Sequence, residues 1–422
     1  MSQGSEAEKE YVLERESELR LEVASSPVSV LLLSGTVEVF GTELAKRRPY
    51  EFQSGAKVAF FTWHGCTLKL MGSPEVAYIS RETPMVLYLN THIAVDQIRH
   101  RASREGKMGP RVVIAGSVDV GKSTMCRLLL NYAIRMNRRL CYVETDVGQG
   151  SLCIPGTMGI TPIEGPADPV EGFSNIQPMI FHYGHNSPSP NVKLFINIIN
   201  RLAAVFEKKC EVNEKFRVGG CVINTCGWVD GQGYKTLVEV CKAFKADAVL
   251  VLDNERLLNQ LEHDLPQEAR ILLLPKSAGV VSRSRTVRRA TREEKIREYF
   301  YGKKGLLSYF PFTFDVKFSD VKIYKIGAPV VPDSCLPIGA TKEDGSTTLL
   351  PVQPDKELVN SLASVSMATS SEDDVINHNS AGFVCIMTVD MEQETMSVLS
   401  PAPGPLPRKI LLLSEVKFVD IR

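Results

Sequence analysis

The alternation of hydrophobic and polar positions divides this chain into three parts. In the first part, short apolar runs separated by Gly or Pro occur at residues 28–33, 36–40, 57–62 and 67–71. Short runs bounded by turn residues are typical of β-strands. We therefore predict a small β-sandwich or barrel at the N-terminus.

In the middle of the chain, apolar runs alternate with stretches of helical periodicity. The runs predict strands at residues 111–115, 140–144, 220–224, 248–252 and 271–274, and the periodic stretches predict helices at 123–136, 192–210, 232–244 and 255–262. Repeated strand–helix–strand units form parallel sheets that are covered by helices on both faces. A further helix is predicted at 92–104, and the basic stretch 99–109 is predicted to be a linker.

The pattern of short strands returns after residue 305. Strands are predicted at residues 314–318, 321–326, 382–387 and 409–413, and the polar tract 364–380 is predicted to be a mobile surface loop. The chain is thus predicted to be an α/β protein. A small N-terminal β domain (1–98) and a C-terminal β-rich domain (306–422) flank a central domain (99–305) with a parallel sheet.

One motif indicates what the central domain binds. Residues 116–123 read Gly-Ser-Val-Asp-Val-Gly-Lys-Ser, after a predicted strand and at the start of a predicted helix. Glycines let backbone N–H groups wrap a phosphate chain, and the helix presents its positive end to that anion. Lys122 is placed to reach the terminal phosphates, and Ser123 is placed to bind Mg²⁺. The central domain is therefore predicted to be a P-loop NTPase domain.

Ligands of open α/β sheets bind at the carboxyl ends of strands, where three residues stand out. Asp146 is a candidate to hold Mg²⁺ or to accept a proton from an attacking hydroxyl, and a strand-end cap is its alternative role. Gln149 is a candidate to orient a water, a phosphate or a substrate group, or is simply a turn residue. Trp228 is a candidate to stack on a nucleobase, or packs on a neighbouring helix.

A dense basic cluster follows the last predicted strand of the central domain. Arg283, Arg288 and Arg292 approximate helical spacing, so their guanidinium groups can share a face above the phosphates. An ordinary solvated helix face, paired with Glu293 and Glu294, is the alternative. We favour an Arg-rich lid. The Asn-Lys-x-Asp element of guanine-specific P-loop proteins is absent, which favours ATP over GTP.

Composition narrows the choice of partners. The 49 basic and 49 acidic residues give a net charge of zero, so any site for a polyanion must be local. The ten cysteines include no Cys-x-x-Cys pair, which favours buried thiols in a reducing, intracellular compartment over zinc ligands. No apolar run approaches the length of a bilayer span, so we expect no membrane association.

Four segments resemble one eukaryotic family. They are the P-loop, Asp-Val-Gly-Gln-Gly-Ser-Leu-Cys-Ile-Pro-Gly-Thr at 146–157, Asn-Thr-Cys-Gly-Trp at 224–228 and Phe-Ser-Asp-Val-Lys-Ile-Tyr-Lys at 318–325. The family comprises polyribonucleotide 5′-hydroxyl kinases that are also subunits of the pre-mRNA cleavage and polyadenylation machinery. The resemblance runs from residues 40–44 to 400–407.

This resemblance implies a nuclear kinase that transfers the γ-phosphate of ATP to the 5′-hydroxyl of RNA. The implied partners are single-stranded or overhanging RNA 5′ ends, cleavage and polyadenylation factor subunits and the tRNA splicing endonuclease complex. The alternatives are a catalytically silent ATP-binding scaffold subunit of the cleavage complex, and a nucleotide-switch GTPase or metallochaperone, which the missing guanine element and metal cluster disfavour.

The resemblance also implies a role for each candidate residue. Lys122 polarises the transferring phosphate, and Asp146 activates the 5′-hydroxyl. Ser123 and Asp146 serve Mg²⁺. The nucleotide is held by Gly116, Ser117, Val118, Asp119, Val120, Gly121, Lys122, Ser123 and Thr124.

For the acceptor and the lid, the resemblance implies that Gln149 and Trp228 hold the terminal RNA nucleotide. Arg283 and Arg288 close over the phosphates.

The family's N-terminal domain helps to clamp the adenine. By position this points to Glu16 and Lys57, although Glu14 or Glu18 fits the register nearly as well as Glu16.

Overall fold

The computed structural model describes residues 8–24, 26–173, 177–303, 309–327, 345–371 and 373–419. Within these ranges the chain forms an N-terminal β-sandwich, a central α/β domain and a C-terminal β-rich domain. The predicted fold class is confirmed.

Two sheets pack face to face in the N-terminal domain. The strands are β1 (Glu8–Leu13), β2 (Ser17–Glu22), β3 (Val28–Gly35), β4 (Glu38–Val39), β5 (Thr42–Glu43), β6 (Pro49–Phe52), β7 (Lys57–Thr62), β8 (Cys66–Met71) and β9 (Val76–Ser80). One sheet has the order β1-β8-β3-β6 and the other β5-β4-β7-β2-β9. Leu19, Val30, Phe60 and Leu68 are fully enclosed between them, so alternation along each strand separates core from surface.

The central domain is built on a seven-stranded sheet of order β13-β12-β11-β14-β10-β15-β16. Its strands are β10 (Arg111–Gly116), β11 (Leu140–Glu144), β12 (Thr157–Ile163), β13 (Met179–His182), β14 (Cys221–Asn224), β15 (Ala248–Leu252) and β16 (Arg270–Leu274). Strands β10, β11, β14, β15 and β16 are parallel, as predicted, but β12 and β13 are antiparallel. The expectation of a purely parallel sheet is therefore corrected to a mixed sheet.

Helices cover both faces of this sheet. They are α1 (Met85–Glu105), α2 (Lys122–Arg135), α3 (Val192–Val212), α4 (Glu214–Gly219), α5 (Gln232–Ala243), α6 (Glu255–Asp264) and α7 (Arg285–Tyr301). Along β10, Val112 and Ile114 pack in the cluster of α1 and α2, whereas Val113 and Ala115 pack in that of α3, α5 and α6. The strand is apolar on both faces because neither face meets water.

The helix predicted at 92–104 lies within α1, and the predicted linker at 99–109 is therefore wrong up to Glu105. Helix α1 continues to Glu105 and passes through the predicted domain boundary at residues 98 and 99. Arg99 is fully buried, and its Nε donates a hydrogen bond to the carbonyl oxygen of Gly219 at 3.0 Å. Its charge faces Asp96, one turn earlier in the helix, at 3.7 Å. Among the basic residues of this stretch, Arg99 joins α1 to the central domain, whereas Arg101, Arg104 and Lys107 are exposed.

The C-terminal domain is a seven-stranded sheet of order β17-β22-β21-β20-β23-β18-β19. Its strands are β17 (Phe312–Lys317), β18 (Lys322–Ile326), β19 (Leu349–Pro351), β20 (Ser361–Ser366), β21 (Ser380–Asp390), β22 (Thr395–Ser400) and β23 (Ile410–Lys417). The loop predicted at 364–380 is corrected at its two ends, because residues 364–366 belong to β20 and Ser380 begins β21, while the described residues between them connect the two strands. Ser364 is buried and its hydroxyl lies 2.6 Å from that of Ser380.

Helix α7 connects the central and C-terminal domains. Ile296 and Phe300, in its second half, are buried against Leu362 and Phe383 of the C-terminal sheet. The first half carries the arginine cluster and lines the cleft described below. Across the described ranges, no helix combines the length and apolar character that a bilayer span requires.

Candidate functional site

A cleft of about 970 Å³ lies where the N-terminal sandwich, the carboxyl ends of the central strands and helix α7 meet. Its walls come from all three elements. The predicted site residues among its lining are Lys57, Val118, Asp119, Val120, Gly121, Lys122, Ser123, Thr124, Asp146, Gln149, Trp228, Arg283 and Arg288. The fold thus brings residues separated by more than 200 positions to one place.

The P-loop connects the end of β10 to the start of α2. Gly116, Asp119 and Gly121 have φ angles of 148°, 56° and 94°, so the chain turns back on itself between strand and helix. A side chain on Gly116 would lie 2.9 Å from the carbonyl oxygen of Leu252, so only glycine fits there. This backbone forms a nest of N–H groups at the N-terminus of α2, which suits a phosphate chain.

Lys122 is held at the base of this loop. Its Nζ donates hydrogen bonds to the carbonyl oxygens of Gly116 at 2.9 Å and Ser117 at 2.7 Å. The residue is only 8% exposed. Burial lowers the pKa of Lys122, and the nearby Asp146 carboxylate opposes that shift. The ammonium is therefore a desolvated cation directly beside the loop that would receive a phosphate.

Asp146 begins a tight loop after β11. Its Oδ1 accepts hydrogen bonds from the N–H groups of Gly148 at 2.9 Å and Gln149 at 3.0 Å. Oδ2 has no hydrogen-bond partner among the residues that the structure describes, so it is left to accept a proton. Burial raises the pKa of Asp146, while those two N–H groups and Lys122 lower it. These opposing effects suit a carboxylate that must accept a proton.

Glu144 is a site residue that sequence reasoning missed. It is the last residue of β11 and is 2% exposed, and its carboxylate accepts hydrogen bonds from Tyr142, Asp146, Ser151 and Asn224. Burial, followed by the charge of Asp146, raises the pKa of Glu144 to about 7. Its position two residues before Asp146 at a strand end was the available signal.

Gln149 and Trp228 both line the cleft. Neither Oε1 nor Nε2 of Gln149 has a hydrogen-bond partner among the described residues, although both atoms are buried. The Trp228 indole lies against the first turn of α5, where a side chain on Gly233 would lie 2.4 Å from its Cγ. Trp228 is only half-buried. The cleft lining thus contains an unpaired amide and an aromatic side chain, and the alternative expectation that Trp228 packs on a neighbouring helix agrees with its contact with α5.

The predicted lid arginines bind the P-loop itself. Asp119 accepts hydrogen bonds from the backbone N–H of Arg283 at 2.8 Å, from Arg283 Nε at 3.0 Å and from an Arg288 Nη at 3.0 Å. Burial opposes the ionisation of Asp119, but these donors lower its pKa overall. Arg288 and Arg292 both lie in α7 and line the cleft, but Arg283 precedes this helix, whose N-cap is Ser284, so the predicted shared helix face is corrected for Arg283.

The N-terminal wall of the cleft contains Lys57, whose Nζ forms an ion pair with Glu22 at 2.7 Å. Glu16 does not line the cleft. It lies in the turn before β2 with φ 55°, and its exposed carboxylate pairs with the adjacent Arg15. Glu18, the alternative in the same register, is buried and holds Arg20 at 2.6 Å on the cleft wall.

The polar and charged groups of the cleft fit a nucleotide with Mg²⁺. A strand–loop–helix nest and Lys122 suit phosphates, and the buried Nε of Arg288 has no partner among the described residues. Ser123 Oγ is a hard oxygen ligand of the kind Mg²⁺ prefers, and the Asp146 carboxylate could hold the ion through a bound water. Asn224 Nδ2 lies 3.3 Å from Ser123 Oγ and orients that hydroxyl from behind.

Comparison with protein families agrees with this geometry along the chain. The model described as "mRNA cleavage and polyadenylation factor CLP1 P-loop" matches residues 116–302. "N-terminal beta-sandwich domain of polyadenylation factor" matches residues 12–102, and "Pre-mRNA cleavage complex II protein Clp1" matches residues 309–420. The three matches follow one another along the chain in the order of its three structural parts.

Similar proteins match this chain over almost its whole length. A Gallus gallus protein named polyribonucleotide 5′-hydroxyl-kinase Clp1 is 55% identical over 413 residues, covering 98% of this chain and 97% of that protein. The Homo sapiens protein of the same name is 54% identical over the same length. A solved Clp1p–Pcf11p complex contains a chain with the same fold (TM-score 0.85, 24% identity, 99% of this chain and 100% of that chain covered). The chain therefore belongs to the Clp1 family.

Proposed function

We propose that this protein is an ATP-dependent polyribonucleotide 5′-hydroxyl kinase. The observation that carries the proposal is the single cleft in which a P-loop lysine, a carboxylate with a free oxygen, an unpaired buried amide and an aromatic face converge. The names of the relatives that are 54–55% identical support the same activity.

On the donor side, the P-loop backbone and Lys122 hold the phosphates of ATP. The ammonium exchanges one of its carbonyl contacts for a phosphate oxygen, since both carbonyl groups belong to the loop that surrounds the phosphates. Ser123 and Asp146 would hold Mg²⁺, which neutralises phosphate charge when bound. Thr124 follows in the first turn of α2, where its backbone N–H extends the nest.

On the acceptor side, Trp228 stacks on the terminal base and the Gln149 amide fixes the nucleotide by hydrogen bonds. The 5′-oxygen then attacks the γ-phosphorus in line. A bond forms between these two atoms, the bond to the β–γ bridging oxygen breaks, and ADP leaves. Asp146 Oδ2 accepts the hydroxyl proton. Charge on the transferred group is stabilised by Lys122, Arg283 and Arg288, so catalysis rests on positioning and electrostatics.

The adenine is placed against the N-terminal wall of the cleft. We retain Lys57 in this role and replace Glu16 by the neighbouring pair of Glu18 and Arg20, because Arg20 lies on the wall and Glu16 does not. Arg20 also contacts the segment before α7, since a side chain on Gly279 would lie 3.0 Å from its Nε. The N-terminal sandwich therefore borders both the proposed adenine position and the segment before α7.

We further propose that the protein works in the nucleus with subunits of the pre-mRNA cleavage machinery and with the tRNA splicing endonuclease. The descriptions of the matching families and the Clp1p–Pcf11p complex support the first partnership. The resemblance of the sequence motifs to the kinase family supports the second partnership, with the tRNA splicing endonuclease.

The proposed function is tested by incubating the purified protein with γ-labelled ATP and a 5′-hydroxyl oligoribonucleotide. The expected result is label on that RNA, none on a matched 5′-phosphorylated RNA, and loss of transfer in Lys122→Ala. A DNA oligonucleotide of the same sequence measures the preference for ribose. Bound ATP without transfer by the wild type would instead support the scaffold role.

A further inference from the structure

The buried carboxylate of Glu144 accepts five hydrogen bonds, which is more than it needs to replace its hydrogen bonds with water. Its Oε2 accepts hydrogen bonds from the Tyr142 hydroxyl at 2.8 Å and from the N–H and hydroxyl of Ser151 at 3.1 Å each. Its Oε1 accepts from Asn224 Nδ2 at 2.8 Å and from the N–H of Asp146 at 3.1 Å. Enclosing a carboxylate costs several kcal/mol unless such donors surround it.

Two of these contacts lead to Asp146. Glu144 binds the N–H of Asp146 at the start of the loop and Ser151 just beyond its end. Within the same loop, the carboxylate of Asp146 accepts hydrogen bonds from the N–H groups of Gly148 and Gln149. Glu144 therefore fixes both ends of the segment that carries the proposed base and the proposed acceptor amide.

A third contact leads to the P-loop. Asn224, at the end of β14, is 1% exposed and donates from the same Nδ2 to Glu144 Oε1 and to Ser123 Oγ, 3.3 Å away. One lone pair of the serine oxygen is thereby directed toward Asn224. The other lone pair is left to face the cleft that Ser123 lines.

We propose that Glu144 is a positioning residue for phosphoryl transfer, which through Asn224 and the 146–151 loop fixes Ser123 Oγ relative to the Asp146 carboxylate. The inference rests on the proposed function. Side chains behind metal ligands and catalytic groups typically change metal affinity or activity 10–100-fold when removed. Glu144 would act through these two residues and would not itself touch substrate.

The test compares Glu144→Gln and Asn224→Ala with the control Tyr142→Phe. The glutamine places an N–H₂ group among donors that need an acceptor, and the alanine cuts the link to Ser123. Tyr142→Phe also removes one hydrogen bond from Glu144 Oε2, and with it the 3.3 Å contact between the Tyr142 hydroxyl and Ser151 Oγ. It leaves in place the bonds from the N–H groups of Asp146 and Ser151 to Glu144 and the link through Asn224. We measure kcat, the KM values for ATP and RNA, the Mg²⁺ concentration for half-maximal rate, and ATP affinity by calorimetry with and without Mg²⁺.

We expect kcat to fall about 10–100-fold in Glu144→Gln and Asn224→Ala, with a roughly tenfold higher Mg²⁺ requirement. ATP affinity without Mg²⁺ stays within about twofold of wild type, and Tyr142→Phe keeps wild-type kcat.

Two results would overturn the inference. One is wild-type kcat and Mg²⁺ dependence in both test variants. The other is a parallel loss of Mg²⁺-free ATP binding and thermal stability, which marks a purely structural residue. If the wild type transfers no phosphate, the proposed kinase function fails, whereas the calorimetric comparison of MgATP with ATP still tests Glu144.

Discussion

Asp119 should control the docking equilibrium of the lid, the segment of residues 283–289 that contains Arg283 and Arg288. It holds Arg283 and Arg288 through three hydrogen bonds of 2.8–3.0 Å, and its own side chain is 5% exposed. The change Asp119→Asn keeps an acceptor for the backbone N–H of Arg283 but removes the charge that both guanidinium groups contact. Asparagine also tolerates the φ of 56° at this position.

The size of the effect follows from the contacts. Hydrogen bonds to charged groups contribute about 1.5–3 kcal/mol and neutral ones about 0.5–1.5, so each guanidinium loses about 1 kcal/mol. The side chains of Arg283 and Arg288 are 37% and 29% exposed, which keeps the loss at the low end. The total of about 2 kcal/mol shifts the docking equilibrium of the lid by about 30-fold.

Trypsin cleavage within residues 283–289 measures this equilibrium, because the protease acts on the released fraction. We expect cleavage of Asp119→Asn to be about 30-fold faster than that of wild type, with a lower kcat for phosphate transfer. The matched control is Asp253→Asn, since Asp253 has φ 55° and pairs only loosely with Lys276, at 3.8 Å. Equal cleavage rates in wild type and Asp119→Asn, or equal acceleration in the control, would refute this reasoning.

The remaining predictions concern the acceptor platform and acid stability. In Gly233→Ala the added methyl would lie 2.4 Å from both the indole Cγ and the backbone carbonyl oxygen of Trp228, so it displaces the ring together with its loop. The KM for RNA then rises at least about fivefold while ATP affinity is unchanged. Gly165→Ala, with open space around it, is the control, and an unchanged KM contradicts the stacking role. Burial, followed by nearby cationic or histidine side chains, lowers the pKa values of His92 and His182 to about 4. The unfolded chain therefore binds protons that the folded chain does not as pH falls from 6.5 toward 4, and each histidine removes about 2 kcal/mol of unfolding free energy at pH 5 relative to pH 7. Urea titrations should show this loss, and His92→Gln should remove the share of His92; an equally steep loss in that variant would contradict it.

Much of this site was predictable because its signals are local. The P-loop, Asp146 and Trp228 each follow a strand with a clear apolar pattern, and parallel strands bring their carboxyl ends to one edge. The bounds of β11 and β15 match the predicted ones. The structure places these three residues, with Gln149 and the two lid arginines, around one cleft.

What the sequence failed to predict depends on distant partners. Strand β12 contains Gly159 and Pro162, which argue against a strand interior, yet it pairs with β11 and β13. The serines of β20 are polar but buried and were mistaken for a loop. Arg99 has the appearance of a linker residue until Gly219 is found beside it. In each case, pairing between segments outweighed local composition.

Glu16 illustrates the same limit at the scale of one residue. Alternation along a strand places Glu14, Glu16 and Glu18 on a common face, but β2 begins only at Ser17. The turn before it gives Glu16 a positive φ and directs it to solvent, and only Glu18 joins the buried wall beside Arg20. Register arguments fail where a strand starts within the pattern being counted.

The central claim is that Asp146 accepts the proton while Lys122 and the lid arginines stabilise the transferred phosphate. Single-turnover transfer from ATP to a 5′-hydroxyl oligoribonucleotide by Asp146→Asn, with both substrates saturating, tests it most directly. A positioned general base contributes about 10²–10⁴-fold, so we expect a loss of at least about 100-fold while ATP without Mg²⁺ still binds. A transfer rate within about threefold of wild type would contradict the account.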